Sequence, residues 1–230
     1  MKSIINFLVM ICLSTTLLAS CGSKSNSNSQ SSDKSVSESV SNLPIDTTGK
    51  SIAYFASGCF WCVEAVFESV NGVTEVISGY AGGDADDANY KDVSAGITDH
   101  AEAVAIYYDS EVISYETLLI VFFDSHDPTT VNRQGPDAGK QYRSEIFYIN
   151  NVEKNIANTK IKHLLDNQAF AKITTLVSPL KAFYPAEEYH QDYEKRNPNQ
   201  GYIKAVSIPR LNKFLAKHPE LLKKEVSNKH

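Results

Sequence analysis

The spacing of apolar positions changes several times along the chain, and each change marks an element. Ile52-Ala53-Tyr54-Phe55-Ala56 is an apolar run that reads as a buried strand. Beyond it Val63, Val66, Phe67 and Val70 recur at helical spacing, so a strand gives way to a helix near Cys59. Gly58 lets the backbone bend at that junction. Val73 to Tyr80 reads as a second strand, followed by a loop around Gly82-Gly83-Asp84. Ala101 to Tyr108 alternates well enough for a third, with Val104, Ile106 and Tyr108 on one face. Ser114 can cap a helix running to about Phe123, ahead of Pro128. Gly135 to Lys140 reads as loop and Glu145 to Ile149 as strand. Val152, Ile156, Leu164 and Leu165 predict a further helix, and Thr174 to Val177 a last strand before Pro179. Interleaved in this way, the elements predict one compact α/β domain.

The two ends follow none of these periods. Lys2 precedes an apolar run from Ile4 to Leu18, short for a membrane span and interrupted by Asn6, Ser14, Thr15 and Thr16. The run closes in Leu18-Ala19-Ser20-Cys21, which resembles a bacterial lipobox. That resemblance implies cleavage before Cys21, a lipid on Cys21 and an extracytoplasmic, membrane-anchored location. An ordinary cleaved signal with a chance cysteine is the alternative. From Ser23 to about Ser41 nearly every residue is polar, so this stretch is expected to be a disordered tether. The tail after Pro219, with Lys223, Lys224 and Lys229, reads as a solvated end. The expected division is a signal peptide (1–20), a lipidated tether (21–50), a catalytic domain (51–215) and a polar tail (216–230).

Composition adds little except at cysteine. A chain 42% hydrophobic and 21% charged is globular, and a formal charge of −5 offers no basic footprint for nucleic acid. Of the 4 cysteines, Cys12 leaves with the signal and Cys21 is expected to carry lipid. An extracytoplasmic protein left with Cys59 and Cys62 alone has no structural disulfide framework. Cys59 at a strand-to-helix turn meets unpaired amides and the positive end of the helix dipole. Such a position can lower a thiol from its usual pKa of roughly 8.5 by one or more units. Cys62 lies one helical turn on, within disulfide reach, and Phe60 and Trp61 are placed to wall an apolar pocket. A pair of small buried hydrophobes or half a zinc site are the other readings of such a pair.

Other candidates are weaker from pattern alone. Glu102 stands in an otherwise apolar strand, where burial would keep it protonated, although a glutamate at a strand end is ordinarily a surface residue. His100 beside it fits a loop or capping role. Tyr90 and Tyr142 stand in polar loops, and their hydroxyls can bind an oxygen without ionising. Phe183 to Tyr193 is the densest aromatic and polar patch. It contains the metal-like spacing Glu187-x-x-His190 in one copy only, and a helix start lining the pocket is the preferred reading.

Five segments occur in the order seen in A-type peptide-methionine sulfoxide reductases. They are Gly58-Cys59-Phe60-Trp61, Gly79-Tyr80-Ala81-Gly82-Gly83, His100-Ala101-Glu102-Ala103-Val104, Gln141-Tyr142-Arg143-Ser144 and Tyr184 to Tyr193. The chain resembles that family over roughly residues 52–215. The resemblance implies a two-layer mixed-sheet α/β plait, with a ferredoxin-like core and extensive coil. It implies reduction of methionine S-sulfoxide, free or in proteins, and so repair of oxidised exported proteins. The implied roles are Cys59 as nucleophile, Glu102 as acid, and Tyr90 and Tyr142 as donors to the sulfoxide oxygen. Phe60 and Trp61 would surround the S-methyl, with Asp137 supporting the polar side of the pocket. No metal or other cofactor is expected, only an external thioredoxin-like dithiol, and the protein is expected to be a monomer.

Unlike many relatives, the chain has no cysteine after Cys62, which makes Cys62 the resolving candidate, as in the Cys-x-x-Cys branch. Ser94, Asp99 and Ala88 also depart from the residues common there. A thiol–disulfide oxidoreductase is the competing enzyme class. A tethered surface-binding lipoprotein is the non-enzymatic one.

Overall fold

Ser51–Ser57 (β1), Val73–Ala81 (β2) and Ala101–Tyr108 (β3) form the centre of a six-stranded sheet in the computed structural model, which describes residues 50–227. Phe60–Glu68 (α1) crosses from β1 to β2, and a short helix, Tyr90–Ser94 (α2), precedes β3. Tyr115–Asp124 (α3) follows, then a small hairpin of Arg133–Gln134 (β4) and Asp137–Ala138 (β5). Ser144–Tyr148 (β6), Asn151–Asp166 (α4), Leu176–Pro179 (β7) and Phe183–Pro185 (β8) come next. Tyr193–Arg196 (α5) and Ile208–Lys217 (α6) complete the layer over the sheet. The strand order is β7-β6-β1-β3-β2-β8, with β6 and β7 parallel and every other pair antiparallel.

Every residue of β3 is buried, because both faces of the sheet are covered. Val104, Ile106 and Tyr108 join Phe55, Phe67, Leu118 and Phe122 in the main core beneath the helices. Each fully buried phenylalanine there contributes roughly 1.5–3 kcal/mol. Ala101, Ala103, Ala105 and Tyr107 face the other way and pack with Tyr54, Phe147, Leu180 and Phe183. Glu102 has the parity of Val104, so it points to the helix side, opposite Tyr80 of β2.

Several local expectations match the backbone. Gly58 turns at φ +93, and a Cβ there would lie 2.6 Å from Gln134. Ser114 accepts the Thr117 amide at the start of α3, which ends before Pro128. Others need correction. The stretch from Gly135 to Lys140 is not simply loop, since β5 pairs with β4. The strand expected over Thr174 to Val177 runs from Leu176 to Pro179 and is not the last, because β8 follows. Val152 and Leu165 of α4 are exposed, and Ala157 is buried in their place. The tail is not simply solvated: Leu222 is buried and bridges Val70, and Lys223 donates its amide to the Ser69 carbonyl. Among the described residues no helix is long and apolar enough to cross a membrane.

Candidate active site

The turn after β1 places Cys59 as the N-cap of α1, with its carbonyl accepting the amides of Cys62 and Val63. The next amide, Phe60 N–H, donates to Glu102 Oε2 at 3.0 Å. A carboxyl group from β3 thus occupies the helix start that the cysteine was expected to use. Glu102 is only 2% exposed, and burial pushes its carboxyl up to about 8, against the pull of the Phe60 amide. It is a neutral acid at physiological pH.

The cysteines divide their proton in a way the sequence did not suggest. Both thiols are free and buried. Burial, and then the hydrogen bond shared with Cys62, push the Cys59 thiol up. Cys62 is brought down to about 6, chiefly by that hydrogen bond, with the Arg210 charge and the Ser207 hydroxyl helping. The expectation of a lowered pKa at Cys59 is therefore corrected. Burial works against ionisation at Cys59, while the hydrogen bond from Cys59 and then the Arg210 charge favour it at Cys62.

A cavity of about 280 Å³ opens on Cys59. Phe60, Trp61, Tyr90, Glu102, Asp137 and Tyr142 line it, so seven of the residues singled out in the sequence converge. Cys62 does not face this space. It lines an adjoining cavity of about 360 Å³ with His126, Gln134, Arg210 and Lys213, and Asp137 and Tyr202 border both. Burial raises Tyr90 to about 12 and raises Tyr142 as well, so both phenols keep their protons as donors. Burial also raises Asp137, while the Tyr202 hydroxyl, donating at 2.5 Å, holds it back.

The aromatic patch from Phe183 to Tyr193 braces this cavity from behind and contributes no lining residue. It was expected to supply a helix start lining the pocket. It forms β8, a single 3-10 turn at Glu188–His190 and, at Tyr193, the start of α5, so a helix does begin here but does not line the pocket. Glu187 accepts the Tyr80 hydroxyl at 2.8 Å and the Tyr90 amide at 3.0 Å, fixing the start of α2. His190 accepts the Trp61 indole N–H at 3.2 Å, while Trp61 stacks on Tyr193 at 3.9 Å. The Glu187-x-x-His190 pair is spent on this framework. Among the described residues no three His, Cys, Asp or Glu side chains cluster to hold a metal. His100 fills the loop role expected of it, accepting the Gly83 amide and donating to the Asp84 carbonyl.

Sequence reasoning missed Tyr202, Gln200 and Arg210. Tyr202 lies 3.8 Å from the Cys62 sulfur and borders both cavities, and Gln200 lines the first. Their segment carries no motif, and only the packing of α6 against α1 brings it to the cysteines. Cys21 lies outside the described residues. Chemically, a neutral acid and two phenols facing a thiol can protonate and bind one oxygen while sulfur attacks the atom bearing it.

Residues 51–222 match the family model described as peptide methionine sulfoxide reductase. The chain is 52% identical over 166 residues to peptide methionine sulfoxide reductase MsrA 1 of Rhodopirellula baltica, covering 72% of this chain and 86% of that one. It is 49% identical over 171 residues to the MsrA protein of Acinetobacter baumannii strain SDF, covering 74% and 97%. Among solved structures it is similar to reduced Mxr1 of Saccharomyces cerevisiae, with a TM-score of 0.64, 35% identity and coverage of 69% and 92%. Methionine sulfoxide reductase A of Corynebacterium diphtheriae gives a TM-score of 0.60 at 30% identity, covering 69% and 78%.

Proposed function

The chain belongs to the peptide methionine sulfoxide reductase family and reduces methionine sulfoxide, and we propose that it acts on the S epimer through a Cys59 sulfenic acid resolved by Cys62. One observation carries this assignment. Cys59, Glu102, Tyr90 and Tyr142, scattered along the sequence, line one small cavity.

The chemistry follows from what each group can do. A sulfoxide sulfur resists attack until its oxygen is protonated or strongly hydrogen-bonded. Neutral Glu102 donates the proton, and Tyr90 and Tyr142 hold the oxygen in a site where burial strengthens each bond. Phe60 and Trp61 receive the S-methyl group, and Asp137 supports the polar side. The proton between the two sulfurs moves onto Cys62 and leaves the thiolate on Cys59. Attack releases methionine and leaves Cys59 as sulfenic acid. Cys62 then displaces water to form the disulfide, and an external thioredoxin-like dithiol returns both sulfurs to thiols. The two cysteines carry the two electrons themselves.

The strand order β6-β1-β3-β2, with α1 and α3 as crossovers, supports a ferredoxin-like plait as the core. Leu18-Ala19-Ser20-Cys21 supports a lipid anchor on Cys21 and repair of oxidised exported proteins by an enzyme tethered outside the cytoplasm. Loss of membrane association in Cys21→Ala is the expected result, and a variant still held at the membrane would refute the anchor.

The deciding experiment offers each sulfoxide epimer to the reduced protein and counts the methionine released. Cys59→Ser should release none from the S epimer. Cys62→Ser should release one per enzyme and then stall with a dithiol protein. Sustained turnover of Cys62→Ser with that protein would remove Cys62 from the cycle.

A further inference from the structure

The two cysteines open onto different cavities, which share only Asp137 and Tyr202. Cys62 borders the space of about 360 Å³ between the β4–β5 hairpin and α6, together with His126, Gln134, Arg210 and Lys213. The nucleophile Cys59 does not line it, and none of Phe60, Trp61, Tyr90, Glu102 or Tyr142 reaches it.

Asp124, Asp127 and Asp137 also line this cavity, Asp124 being paired with Lys217 and His218, and Arg210 is the cation whose charge reaches Cys62. Its guanidinium donates to the Ser125 carbonyl at 2.7 Å and to the Ser57 carbonyl and hydroxyl at 3.0 and 3.2 Å. All three acceptors are neutral, and among the described residues no carboxylate comes within ion-pair distance of Arg210. A half-buried cation without a counter-ion stabilises an anion placed beside it. Lys213 lies one turn on along α6, exposed at the rim and likewise outside every ion pair among the described residues.

We propose that this second cavity is where the thiolate of a reducing dithiol protein enters, so that sulfoxide and reductant use separate mouths of one redox centre. The inference rests on the proposed Cys59–Cys62 disulfide. An incoming thiolate attacks the Cys62 sulfur from the cavity, the Cys59–Cys62 bond breaks, and Cys59 leaves with the bonding pair. Glu102, a neutral acid beside Cys59, supplies the proton that the departing sulfur takes up. The second thiol of the partner, once deprotonated, then attacks the partner's own sulfur in the mixed disulfide. That step frees Cys62 as a thiolate beside Arg210 and completes a two-electron oxidation of the partner. The partner is recognised by chemistry: an exposed Cys-x-x-Cys thiolate on a segment narrow enough to reach Cys62 beside Arg210.

The test separates the two half-reactions of the whole protein. Lys213→Trp places bulk at the rim on an exposed position of α6, where folding is not at stake. Methionine release in a single turnover without reductant should stay within about twofold, while reduction of the oxidised enzyme by a thioredoxin-like protein slows about tenfold or more. Dithiothreitol, being small, should lose less. Gln200→Trp, in the other cavity, should do the reverse. Excess methionine sulfoxide should also fail to compete with the dithiol protein in steady state. Unchanged reduction in Lys213→Trp, an equal loss in both halves, or competition between sulfoxide and dithiol protein would each overturn the second mouth. Absence of methionine release from the unmodified enzyme would instead refute the function itself.

Discussion

Two glutamates in this molecule have nearly the same environment and entirely different neighbours. Glu64 on α1 and Glu102 on β3 are each 2% exposed. Each accepts one backbone amide at 3.0 Å, from Asp192 and Phe60 respectively. Burial pushes both carboxyls up to about 8. Yet Glu64 lines neither of the two cysteine cavities, whereas Glu102 shares one with Cys59 and two phenols. A carboxyl held neutral at physiological pH is therefore not in itself a catalytic acid. What separates the two is a space beside the acid and a nucleophile across it.

Removing each acid in turn gives the largest contrast. Glu102→Gln should slow methionine release about a hundredfold or more, the usual worth of a positioned general acid. Glu64→Gln should leave it within about twofold, and a large loss in both variants would erase the distinction. The pH profile sharpens it. Release requires Glu102 protonated and one sulfur ionised, so the rate should fall above about 8 and below about 6. Glu102→Gln should lose the alkaline limb, and Glu64→Gln should keep it.

Stability gives a smaller difference, and here the two acids should behave alike. Both have folded-state values of about 8, above the ordinary 4.5, so the folded protein binds more protons between those limits. Their contribution is complete at low pH and is lost as pH rises through about 8. Glu64→Gln should therefore stabilise the protein at alkaline pH by at most about 5 kcal/mol, read from denaturant midpoints across pH. The smallest effect belongs to Lys195, 2.8 Å from both Glu68 and Asp192 near Glu64. Its side chain is 61% exposed, so Lys195→Met should cost no more than about 0.5 kcal/mol in thermal unfolding.

The same contrast explains how far the chain could be read before its structure. Gly58, the Ser114 cap and the alternation of β3 are local signals, and each element formed where its own residues required. β7 was misplaced by two residues because its limits depend on parallel pairing with β6, which no neighbouring residue encodes. The tail was misread because Leu221 and Leu222 stand among charges with no period to mark them, and only Asn71 and Val70 give them a backbone partner. The lowered thiol expected at Cys59 failed for a similar reason. The helix amide next to Cys59 was legible, but its capture by Glu102, 42 residues away, was not.

The sequence by itself determined the strands, the helices and the turn bearing Cys59, because periodicity and turn chemistry act between residues a few positions apart. It also supplied a neutral-acid candidate, two phenols and the cysteine pair as types in order. The tertiary structure alone decided which of two equally buried glutamates faces a sulfur. It alone brought Tyr202 and Arg210 to Cys62 across the fold. Proton affinity depends on the burial and charge that distant segments bring within a few ångströms, and those distances exist only once the sheet has closed over its helices.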